Sequence, residues 1–122
     1  MNVTKGQILN GVIKYAKSEM IDKITDKPLK MMLAVSVSAL EVNPSIADSI
    51  FNNSVVSKIL SGSNGLYDID SAFTIIEQTM TKYGDFPITI PAIKFVSPTE
   101  KELTFSVADV AKLKKYIIDG VS

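Results

Sequence analysis

The chain has no arginine, histidine, cysteine or tryptophan; all thirteen of its basic residues are lysine. Each absence removes a class of chemistry. Without histidine there is no side chain that titrates near neutral pH unaided, and no imidazole ligand for a metal. Without cysteine there is neither a disulfide framework nor a thiolate nucleophile. Without arginine there is no planar fork for phosphate or guanine. Long apolar runs are also missing: the longest uncharged apolar stretch, Met31 to Leu40, is about half of the roughly 20 residues that span a bilayer. Metal, cofactor and catalytic roles are therefore assigned to no residue.

Thirteen acids balance the thirteen lysines, so no whole-molecule field draws the chain to nucleic acid or an anionic membrane. The opening Met1-Asn2-Val3-Thr4-Lys5-Gly6-Gln7 lacks the basic and apolar regions of a secretion signal, which leads to the expectation of a cytoplasmic protein or a virion component. Exclusive use of lysine over arginine suggests an AT-rich genome, such as that of a low-GC bacterium or its phage or prophage. At 122 residues and 46% hydrophobic composition, residues 1–122 read as a single globular domain with a core of its own.

Thr4 with Gln7 makes a capping box before Ile8, Leu9, Val12, Ile13, Ala16, Met20, Ile21 and Ile24 at helical spacing, predicting a first helix of about five turns. Thr25 or Asp26 caps a second helix, Pro28 to Val42, with proline in its first turn. That helix is apolar nearly all round, which predicts a place in the middle of the core. Ser36 and Ser38 read as packing residues, since a serine nucleophile needs a base and no histidine is present, which leaves only a Ser-Lys pairing as the alternative.

Asn43-Pro44 starts a short helix with Ile46, Ala47, Ile50 and Phe51 inward, and Ser54 caps another. Ser61-Gly62-Ser63-Asn64-Gly65 reads as a loop. Asp68 then caps a helix carrying Phe73, Ile75, Ile76, Met80 and Tyr83, closed by Gly84. From Phe86 the apolar period becomes two: Ile88 and Ile90, Ile93 and Phe95, then Leu103 and Phe105, with a slip at Pro91-Ala92. Ser106 with Asp109 forms a second capping box, ahead of a closing helix with Lys112, Lys114 and Lys115 on its exposed side.

The expected fold class is α+β: a helix-dominated domain of four to five helices, with a small C-terminal β-hairpin or meander and a closing helix. The expected function is a non-enzymatic protein-protein interaction or assembly protein, working as a homo-oligomer or with a protein partner. Interfaces favour aromatic and methionine side chains, and the candidate interface residues are Ile88, Ile90, Phe95, Leu103, Thr104 and Phe105. The alternatives are a small nucleic-acid-binding regulator, using the lysine cluster or a helix-turn-helix near Asn43 to Leu60, and a small-ligand-binding protein or enzyme built on lysine and carboxylates.

Overall fold

A computed structural model describes residues 1–60, 62–90, 92 and 99–121, and within these all side chains except those of Val55, Ser63, Ile88, Ile90 and Lys101. The order along the chain is β1 (Asn2–Thr4), α1 (Lys5–Tyr15), α2 (Lys27–Val42), α3 (Asp48–Phe51), α4 (Ser54–Ile59), β2 (Gly62–Ser63), β3 (Leu66–Asp68), α5 (Ile69–Tyr83), β4 (Phe86–Ile90), β5 (Lys101–Phe105) and α6 (Val107–Asp119). It is a helix-dominated α+β fold with two small antiparallel sheets.

The caps follow from the sequence. Thr4 Oγ1 accepts from the Gln7 amide while Gln7 Oε1 accepts from the Thr4 amide. Asp26 accepts from the Leu29 amide with proline in the first turn, Asp68 accepts from Ser71, and Ser106 with Asp109 closes the second reciprocal pair. Gly84 ends α5 at φ 92°, a backbone region that glycine enters without penalty.

The first helix departs from a uniform five turns. After Tyr15 one π turn, Ala16–Met20, is closed by the Ile21 amide donating to the Ala16 carbonyl, and a 3-10 turn, Ile21–Lys23, follows. The extra residue of a π turn re-aims the side chains beyond it.

Residues 62–65, expected as part of a loop, belong to a hairpin, and Ser61 lies outside the described residues. Asn64 and Gly65 both have positive φ, the geometry of a tight hairpin turn. They join β2 to β3, and β1 pairs with the other edge of β3, giving the order β1-β3-β2. This sheet was absent from the sequence expectation, because three-residue strands carry no readable period. A Cβ on Gly62 would lie 1.8 Å from the Leu66 carbonyl oxygen, so only glycine fits there.

Ser54 is the first residue of α4 rather than its cap; Asn53 Oδ1 accepts from the Val56 amide instead. Ile46 and Ile50 are exposed, so of the four residues expected inward there only Ala47 is buried, with Phe51 half-buried.

Two apolar clusters hold the elements. In one, Val3 of β1, Ile8 of α1, Ile69, Phe73 and Met80 of α5, and Val110 and Ile117 of α6 pack together. In the other, Ala16 meets Met32, Leu33 and Val37 of α2, with Leu103 of β5 against them. The α2 helix is thus a border element, and the expectation that it is wholly enclosed is corrected: only Met32, Leu33 and Val37 are buried, while Met31, Val35 and Val42 are 56%, 47% and 87% exposed.

Candidate functional site

Three of the six candidate interface residues can be placed with their side chains. In the β4–β5 pair Leu103 stands opposite Ile88, Thr104 opposite Pro87, Phe105 opposite Phe86 and Lys101 opposite Ile90. Leu103 is half-buried against the α2 cluster, Phe105 lies 6.0 Å from the Tyr15 ring, and Thr104 is exposed. For Ile88 and Ile90 only the backbone positions are described, and Phe95, like the expected strand from Ile93, lies outside the described residues.

Leu103, Thr104 and Phe105 form one wall of a cleft of about 160 Å³, completed by Tyr15, Glu19, Met20, Lys23, Ile24 and Asp109. Ligand pockets usually run to roughly 300–1,000 Å³. Glu19, carried by the π turn, is its central charge. It accepts from Tyr116 at 3.1 Å and from Lys23 at 2.6 Å, and Lys112 stands 3.7 Å away. The Lys23 ammonium, then the Tyr116 hydroxyl, hold its carboxyl below the usual range.

Tyr15 is buried, and burial foremost, then the charges of Asp109 and Glu19, pushes its hydroxyl up to about 12. Here the carboxylate stays charged and the phenol stays protonated.

The serines on α2 separate. Ser36 is half-buried and donates to the Met32 carbonyl at 2.9 Å, whereas Ser38 is exposed. In the lysine cluster, Lys112 faces Glu19 and Lys114 lies 3.1 Å from Asp70, which also receives the N-terminal ammonium. Among the described residues, no group of three or more acids is placed to hold a metal ion, and no helix is long and apolar enough to cross a membrane.

A second groove of about 340 Å³ runs between α1 and the end of α2, lined by Leu9, Ile13, Lys17, Leu40, Glu41 and Pro44 among others, with Lys17 and Glu41 paired at 2.7 Å. Beside it lies the outward face of α2. Pro28, Met31, Val35, Ser38, Ala39 and Val42 are all exposed, and no charge interrupts them over four turns. Exposed apolar side chains occurring singly are ordinary, but a contiguous patch marks a contact surface. The spacing of Met31, Val35, Ser38 and Val42 at four, three and four residues was readable in the sequence. That is the spacing of seam positions in a two-helix coil.

No family model, curated protein or solved structure matches this chain.

Proposed function

We propose that this chain is a non-enzymatic protein-protein interaction or assembly protein whose principal contact is the outer face of α2. The observation that carries the reading is that face: Met31, Val35 and Val42 exposed on one uncharged stripe. Water contact at about 25 cal/mol per Å² is relieved when a partner covers such a stripe, so docking is favoured there. The occupied state of Glu19, the high pKa of Tyr15 and the back-bonded Ser36 support a non-catalytic role. The carboxylates facing Lys112 and Lys114 weigh against the nucleic-acid alternative, because each must be displaced before its lysine meets phosphate.

The β4–β5 ribbon is a second proposed contact, on the strength of exposed Phe86 and Thr104. A photo-crosslinking residue placed at Val35, at Val42, at Thr104 or, as a control, at Thr81 distinguishes the surfaces in the cells that make the protein. Defined protein adducts from Val35 and Val42 but not from Thr81 are expected. Adducts from Thr104 alone move the contact to the ribbon, and none from any of the three overturns the interaction reading.

A further inference from the structure

We infer that the cleft beside Tyr15 binds a small neutral molecule, mostly apolar, whose single oxygen accepts a hydrogen bond from the Tyr15 hydroxyl. No described residue of α2 lines this cleft, so the site is additional to the contact proposed on the α2 face.

Tyr15 is only 4% exposed, yet its hydroxyl bonds to none of the described residues. Buried hydroxyls in folded proteins are nearly always bonded. Tyr15 lines the cleft, and no described side-chain oxygen is both sealed from solvent and unbonded, so the hydroxyl is the part that reaches the open space. It has one proton to donate and lone pairs to accept with. The wall opposite is built by an irregular backbone: the π turn and the 3-10 turn after it carry Glu19, Met20 and Ile24 into the cleft. Single π turns inside helices occur frequently at functional sites.

Charge decides the class of ligand. Glu19 is already held by Lys23, Tyr116 and Lys112. Asp109 accepts from the Ser106 amide and hydroxyl and stands in the first turn of α6, where the helix dipole favours a carboxylate. The walls therefore hold no unanswered charge, and an ion entering them gives up hydration with no counter-ion to replace it. What remains is apolar: Met20, Ile24, Leu103 and the rings of Tyr15 and Phe105. Volume sets the size. The cleft of about 160 Å³ is close to the roughly 150 Å³ of an engineered protein cavity that holds benzene. An alcohol or phenol of about six to nine non-hydrogen atoms fits, its oxygen at Tyr15 and its body against Met20 and Leu103. For so few atoms the dissociation constant is expected on the order of 0.1–1 mM.

Benzyl alcohol is the probe, with benzoate and benzylammonium as charged controls of similar shape. Titrated to about 10 mM into isotope-labelled wild-type protein, it should move the amide signals of Glu19, Met20, Ile24 and Leu103 to Phe105 together, with a constant in that range. Nuclear Overhauser contacts from the probe ring to the Met20 methyl group should place it in the cleft with no substitution made. Tyr15→Phe removes the hydroxyl alone and should weaken binding about fivefold or more, while each charged control should bind about tenfold more weakly or worse. No response to benzyl alcohol, or shifts confined to residues away from the cleft, overturns the site. Equal binding of benzoate or benzylammonium overturns the neutral ligand, and an unchanged constant in Tyr15→Phe overturns the hydroxyl as its anchor. Crosslinking at Val35 and Val42 is read separately, so the interaction reading stands or falls on its own result.

Discussion

At Gly11, α6 passes close over α1. A Cβ there would sit 2.5 Å from Ile117 Cγ1 and 2.6 Å from the Ile117 Cα. The backbone atom cannot rotate away, so Gly11→Ala must push the two helices apart. Overpacking typically costs about 1–3 kcal/mol, and urea unfolding of Gly11→Ala should show a loss at the upper end of that range. Gly6 is the contrast: the nearest atom to its added Cβ is 3.9 Å away, and Gly6→Ala should be neutral or stabilising by about 0.5–1 kcal/mol through helix propensity. Nothing in the sequence separates these two glycines, because both lie in α1; only the passage of α6 over Gly11 does. Tyr15 carries a residue-scale prediction too. Its folded pKa lies above its unfolded value, so its contribution to stability is present below about 10 and lost as the pH rises toward the folded value of about 12. Alkaline unfolding should therefore be shallower in Tyr15→Phe, and absorbance at the phenolate band should show one late-titrating tyrosine missing from that variant.

Among the elements, α2 separates what is local from what is not. Its start was legible because Asp26 and Pro28 act within one turn, and the same holds for the two capping boxes. Its place was not legible: an apolar helix reads as enclosed whichever face the rest of the chain covers. Here α2 packs one side only, on Ala16 and its neighbours. The expected consequence is a split between faces. Leu33→Ala should cost about 2–5 kcal/mol, whereas Val35→Ala should stay within roughly 1 kcal/mol in the monomer; thermal melts at low protein concentration compare them. The β1-β3-β2 sheet was hidden for another reason. Val3 pairs with Tyr67, a partner found only by folding, although Asn64-Gly65 is itself a strong hairpin signal. The C-terminal strands could be read because five residues in β5 suffice to show alternation. The Glu19 cleft could not: it needs the π turn, which no spacing rule announces, and Tyr116 from the far end of the chain.

At the scale of the whole molecule, charge that is balanced in number is arranged in pairs. Asp70 is held below the usual carboxylate range chiefly by the N-terminal ammonium and then Lys114, Asp68 by Ser71, and Glu19 by Lys23 and Tyr116. For a carboxylate whose folded pKa is depressed, the stabilising contribution is present above the unfolded value and is lost as pH falls through the folded one. The midpoint of urea unfolding should hold steady from pH 7 to about 5 and fall below about pH 4. The fall should be smaller in Glu19→Gln. The N-terminal ammonium is raised chiefly by its bond to Asp70, so its contribution is present below about pH 8 and declines above it. Asp70 is exposed and Glu19 and Asp68 are half-buried, so added salt should shrink the effects, most at Asp70.

The crossing of α1 over α6 also orders events in time. The helix that covers Gly11 is synthesised about a hundred residues after it, and ribosomes add roughly 5–20 residues per second. For some seconds α1 therefore emerges with Ile8 and Tyr15 uncovered, and the cluster built on Val3, Ile69 and Ile117 cannot close. The α1–α6 contact, and with it the cluster of Val3, Ile69 and Ile117, therefore forms only after α6 has been made.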